Sequence, residues 1–202
     1  MSLSRYLSLL PVLLALAVLQ GCASTSPEPP TQPPPFVEQE QIRDLQLAIM
    51  ALDDTVDSGE ARHAATIAIQ YPRQLAKEYE ISDPPLVHNM KVNLGSKPRG
   101  LCIHWTADLL ARLQAEHFHT LDFHWGIANY DNTFRLEHST VIISARGGSL
   151  DDGIVLDPWR YGGELFWSAT LEDPVYQWYP QADIHARKRA REALVENRAI
   201  VR

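Results

Sequence analysis

Apolar positions along the chain keep one period in its first half and another in its second. Ile42, Leu45, Ala48, Ile49 and Leu52 recur at threes and fours, which predicts a helix over 37–56. Asp53, Asp54, Asp57, Ser58 and Gly59 interrupt that pattern. Ser58 is placed to cap a second helix over 59–70, with Glu60 in its first turn. Pro72 bends or restarts this helix, Leu75, Ala76 and Tyr79 carry it to about Glu80, and Asp83-Pro84-Pro85 stops it. The segment 82–99 reads as loop. A third helical pattern begins at Cys102 and runs to Leu113. Beyond it the period shortens to two: 123–130 and 134–144 read as a hairpin around Asp131-Asn132. A further strand over 153–157 follows a turn containing Gly147, Gly148, Asp151 and Asp152. Trp159, Tyr161, Phe166, Trp167, Tyr176, Trp178 and Tyr179 then crowd a stretch broken by Gly162-Gly163. Asp183 caps a basic last helix ending near Asn197. Helices followed by antiparallel strands predict an α+β domain over 37–202, with N-terminal helices packed on a small sheet.

The N-terminus follows a different logic. Arg5 precedes an apolar run over 6–19, shorter than the roughly 20 residues a membrane span needs, and the whole fits a secretory signal. Leu19-Gln20-Gly21-Cys22 resembles the lipobox of bacterial lipoproteins. That resemblance implies a signal peptide over 1–21 and a mature chain starting at Cys22, lipidated by diacylglycerol plus a palmitate-type acyl chain. Several acyl chains suffice for stable anchoring. Ala23, where an Asp would favour inner-membrane retention, points to the outer membrane of a Gram-negative cell, facing the periplasm. Six prolines among 23–35 predict a semi-rigid tether over 22–36.

Composition narrows the picture. A hydrophobic fraction of 45% supports a real core, and a net charge of −7 argues against a nucleic-acid partner. Two cysteines are too few for a disulfide framework, and with Cys22 lipidated, Cys102 is the one free thiol.

Cys102 opens a helix directly after Pro98-Arg99-Gly100, where unsatisfied amides and the positive end of the dipole lower a thiol pKa from about 8.5. His138 and Asp157 lie at the edges of successive strands. If those strands pair about a centre between Gly147 and Gly148, His138 falls directly opposite Asp157, with Cβ atoms about 4.5–5.5 Å apart. A carboxylate there can accept from the imidazole and set its tautomer. His104 points off another side of the helix. His117, His119 and His124 form a local cluster that could bind zinc, but no carboxylate or thiolate completes a ligand spacing. Neither a metal nor a cofactor is called for.

Gly100-x-Cys102 opening a helix, His138 opening a strand and Leu156-Asp157-Pro158 closing the next resemble the transglutaminase-like branch of the papain-like cysteine enzymes. The resemblance spans about 70–159. It implies that Cys102 is the nucleophile, His138 the base and acid, and Asp157 the orienter. The family often follows its histidine with Ala-Trp; Ser139-Thr140 stand here. Trp105, Trp159, Arg160 and Tyr161 are cleft candidates by proximity. The implied function is a cysteine hydrolase or acyltransferase acting on a peptide, protein or peptidoglycan amide in the envelope. Its rivals are a non-catalytic papain-like lipoprotein that binds an envelope protein or peptidoglycan, and a zinc hydrolase built on the His117 cluster.

Overall fold

The computed structural model describes residues 35–200, so the signal-peptide, Cys22 and tether assignments lie outside the described residues. The fold is mixed α+β, with five helices and one antiparallel sheet of five strands. The helices are α1 (Pro35–Met50), α2 (Ser58–Glu78), α3 (Pro85–Asn93), α4 (Cys102–Gln114) and α5 (Gln181–Ile200). The strands are β1 (Leu121–Ala128), β2 (His138–Ala145), β3 (Ile154–Tyr161), β4 (Glu164–Ala169) and the short β5 (Tyr179–Pro180), in the order β4-β3-β2-β1-β5. None of the described helices is long and apolar enough to cross a membrane.

Helices α1, α2 and α4 cover one face of the sheet. Leu45, Ile49, Ala61, Ala65, Leu109 and Leu113 pack with Val141, Ile143, Ile154 and Leu156 in one core. The alternate residues Ile142 and Val155 turn to the other face and pack with Ala128, Leu150 and Trp178. This is the period-two division that a strand imposes on its side chains. The alanines of α2 allow close helix approach, and Pro72 is accommodated inside an unbroken α2.

Several boundaries differ from those predicted. Helix α1 ends at Met50, before the acidic run. Asp57, not Ser58, caps α2, its carboxylate accepting from the amides of Gly59 and Glu60 at 2.9 Å each. The segment 82–99 contains α3: Pro84-Pro85 ends one element and starts the next, because proline fits a helix's first position without losing a hydrogen bond. Residues 129–137 form a loop rather than the start of β2, leaving Phe134 98% exposed. Strand β3 runs on through Pro158 to Tyr161, and Gly162-Gly163, both at positive φ, turn it into β4. Asp183 sits in the first turn of α5 rather than capping it.

The register of β2 on β3 is shifted by two residues from the symmetric one. Val141 faces Leu156 and Ile143 faces Ile154, whereas the glycine-centred pairing would set Val141 against Ile154. Asp157 is therefore a diagonal rather than a direct neighbour of His138. A slip of one residue would have put the two on opposite faces; a slip of two keeps them together.

Candidate functional site

The start of α4 carries the thiol, and its surroundings hold it in place. Arg99 pairs with Asp108 at 2.8 Å, and the buried His88 bonds the Arg99 carbonyl at 2.8 Å. Gly100 adopts φ +123°, and a Cβ there would lie 2.5 Å from His88 Nε2, so only glycine fits. The amides of Gly100 and Leu101 donate to Nδ1 of His104, which thus serves the helix entry and not the thiol. Leu101 offers no side-chain cap, leaving the first-turn amides and the positive dipole end beside Cys102. Thr106 donates to the Cys102 carbonyl at 2.9 Å and shares a hydrogen bond with Ser139 at 3.1 Å, tying α4 to β2. The thiol itself donates to the Glu137 carbonyl at 3.8 Å.

His138 is sealed beneath aromatic rings. Trp159, Tyr176 and Trp178 lie 4.6, 4.7 and 5.4 Å from it, centroid to centroid. Its Nε2 bonds Oδ2 of the fully buried Asp157 at 2.7 Å. A carboxylate only accepts, so Nε2 carries the proton and Nδ1 of the neutral ring holds a lone pair. Nδ1 is buried and makes no hydrogen bond of ordinary geometry. Its side chain and Cys102 line one cleft of about 320 Å³. Catalytic contacts in free enzymes are commonly loose and tighten on the reacting complex.

Charge completes the arrangement. Burial pushes the Cys102 thiol up, but His138, by hydrogen bonding and by charge, and Ser139 outweigh it and hold the thiol below its ordinary value. Burial disfavours the imidazolium of His138, yet Asp157 and the Cys102 sulfur raise it to about 9. Opposite shifts of this kind describe a thiolate–imidazolium pair.

Behind Asp157 lies a second layer that the sequence did not announce. Arg160 Nε donates to Asp157 Oδ2 at 3.1 Å, and its two terminal nitrogens fork onto Asp173 at 3.1 and 2.7 Å. Its guanidinium stacks 3.7 Å above the Phe166 ring. Asp173 also accepts from the Val175 and Tyr176 amides and the Trp178 indole. The segment carrying two of the rings over His138 is thus fastened to the same buried ion cluster.

Asn89, on the unforeseen α3, is a side chain of the Cys102 cleft that sequence reasoning missed. Its Oδ1 accepts from the Trp159 indole at 3.1 Å. An indole nitrogen only donates, so the amide orientation is forced and Nδ2 is the free end. Asn89 lines the Cys102 cleft, and Nδ2 has no acceptor among the described residues.

The cleft candidates separate. Trp159 lies over His138 and lines a neighbouring cleft. Trp105 does not: it is 1% exposed, packs edge-on against Tyr79 and donates to the Gly100 carbonyl, so it supports the loop from behind. Arg160 is occupied by its two carboxylates, and Tyr161 points outward at the end of β3, 60% exposed. His124 bonds Ser144, and no group of three or more candidate ligands converges on a metal position among the described residues. No family model, curated protein or solved structure matches this chain. Its function must be argued from the site.

Proposed function

We propose that the protein is a cysteine hydrolase or acyltransferase of the transglutaminase-like, papain-like type. On this reading it acts on a peptide or isopeptide amide, and its place is the outer-membrane envelope of a Gram-negative cell, held by a lipid on Cys22. The observation that carries the reading is His138 itself: one ring nitrogen on a buried carboxylate, the other buried and unpartnered, on a side chain that lines the same cleft as the one described thiol. A histidine kept only for packing would not be expected to raise its own pKa while lowering that of a neighbouring thiol.

The reaction follows from the parts. The Cys102 thiolate attacks the amide carbonyl, forming a C–S bond and an oxyanion. On this reading the Cys102 amide and Asn89 Nδ2 donate to that oxyanion, a role supported by Asn89 lining the same cleft as Cys102. As the oxyanion collapses the C–N bond breaks, and the leaving amine takes the proton from Nδ1 of the imidazolium. The thioester then accepts water or an amine, whose proton passes to Nδ1, and the C–S bond breaks to restore the thiolate. Asp157 holds Nε2–H throughout, keeping Nδ1 in position for both transfers.

An activated ester tests this without a known substrate. The detergent-solubilised full chain, mixed with p-nitrophenyl acetate, should release a burst of nitrophenolate and carry one acetyl group, mapped by mass spectrometry to Cys102. Cys102→Ser should lose the burst. Acetylation spread over lysines, with no burst, would favour a binding protein built on the same fold.

A further inference from the structure

His138 borders two clefts. The first holds Cys102 and has a mixed lining, with Asn89, Glu137 and Gln181 beside Ile103, Trp125 and Ile127. The second, about 480 Å³, adjoins it through Leu136 and His138 but does not touch Cys102. Its walls come from the start of α3 and the β1–β2 loop: Pro84, Pro85 and Leu86 on one side, Phe134 and Leu136 on the other, Trp159 and Tyr176 below. Leu86, Phe134 and Leu136 are 61%, 98% and 52% exposed, so large apolar side chains crowd into solvent around one opening. Such patches mark binding surfaces.

Besides the sealed His138, one charged side chain stands in this apolar wall. Arg135 is exposed, touching only the Val175 carbonyl at 3.4 Å and the Tyr176 ring at 5.5 Å from its centroid. No carboxylate pairs with it among the described residues, and no acidic side chain lines the cleft. In a chain of net charge −7, an unpaired guanidinium beside exposed apolar rings asks for an anion attached to an apolar group.

Chemistry decides which part of a substrate this is. The leaving amine must take its proton from His138, so it lies on the imidazole side of the thiol, where the second cleft opens. Resting on the acyl-transfer reading above, we propose that the second cleft takes the amine side of the scissile amide, and that this is an apolar amino acid with a free α-carboxylate paired to Arg135. The enzyme would thus release, or accept, a chain-terminal apolar residue. The balance is that of the general reaction: the C–N bond breaks, the amine gains the Nδ1 proton, and the acyl group stays on sulfur.

Because each step runs in reverse through the same site, an amine that fits the cleft should attack the acyl-enzyme. The full chain acetylated by p-nitrophenyl acetate is exposed to L-leucine, L-leucinamide or glycine, and the N-acetyl products are counted by mass spectrometry. In solution the amide is the better nucleophile at neutral pH, since more of it is unprotonated. The cleft reverses that order: leucine should yield roughly tenfold more product than leucinamide or glycine. Arg135→Gln should abolish the preference for leucine over leucinamide while keeping leucinamide ahead of glycine. An acetyl-Cys102 that forms normally but transfers to leucine no better than to leucinamide or glycine overturns the cleft assignment alone. An unchanged preference in Arg135→Gln also overturns it. Failure to form acetyl-Cys102 overturns the acyl-transfer reading, and this assignment with it.

Discussion

Two opposed effects meet at the Cys102 sulfur. Burial favours the neutral thiol, while the imidazolium of His138 and the hydrogen bonds at Ser139 favour the thiolate, and the second set prevails. The same pairing raises His138 to about 9. Since that value lies above the imidazole's usual 6.5, the pair stabilises the fold fully below about 6.5 and loses this contribution as pH rises through 9. Asn89 is held differently, by a single indole, and its free amide end matters only once an oxyanion exists. Asn89→Ala should therefore weaken the hemithioacetal formed with a simple aldehyde by about 10²–10³-fold, the usual loss on removing one oxyanion donor. Its rate of iodoacetamide alkylation should stay within about twofold, because that displacement develops no oxyanion. Equal losses in both measurements would reveal a structural role only.

Elements explain why some of these residues were visible in the sequence and others were not. Cys102 and His138 each combine a reactive type with an element boundary, and Asp157 stands before Pro158, which read as a strand end although β3 runs on to Tyr161; these marks can be read from a string of letters. Their contact survived an incorrect register because the error was an even number of residues. Asn89 was hidden because α3 is short and opens on Pro84-Pro85, which read as loop. Arg160 was named as a cleft candidate by proximity, but its pairing with Asp157 was hidden because residues three apart on a regular strand face opposite ways. The irregular register of β3 between Asp157 and Tyr161 turns Arg160 back onto Asp157. Pro158 inside that stretch has no amide to donate, which suits the break in the ladder. The guanidinium then bridges two fully buried carboxylates, Asp157 and Asp173. Arg160→Met would take the guanidinium from both, leaving Asp157 to His138 and Asp173 to neutral donors alone, and urea unfolding should show a loss of about 3 kcal/mol. Adding Asp173→Asn should restore part of it. Burial pushes Asp173 up, but Arg160, the Val175 amide and the Trp178 indole hold it below the usual carboxylate range. Its contribution is thus present at neutral pH and fades as pH falls through that lowered value.

For the whole molecule, a single described thiol sits at the end of a helix, a sealed histidine borders two adjoining clefts, and a buried ion cluster fastens the aromatic segment over that histidine. A third and larger cleft, about 660 Å³, runs along 149–151 and 170–183 and contains neither Cys102 nor His138. Volume alone would have chosen it, but the chemistry lies elsewhere. The basic face of α5 approaches the site through Lys188, which bonds Glu137 at 2.6 Å. The envelope location remains a proposal carried by the stretch ending in Gly21-Cys22. Expressed with its full leader, the chain should fractionate with outer membranes and incorporate radiolabelled palmitate. Cys22→Ser should abolish the label and release the protein from the membrane; continued labelling of that variant would contradict a lipid on Cys22.

The pair at Cys102 and His138 is the centre of the account, and the pH dependence of Cys102 alkylation by iodoacetamide tests it most directly. In the native chain the rate should rise at a pH below the ordinary thiol range and hold a plateau to about 9, where the imidazolium loses its proton. In His138→Ala the main influence lowering the thiol is gone and Ser139 alone opposes burial, so the rise should move to higher pH. The rate at pH 7 should then fall by about tenfold for each unit of displacement. A native thiol that titrates as an ordinary buried cysteine, with a profile unmoved by His138→Ala, would contradict the account.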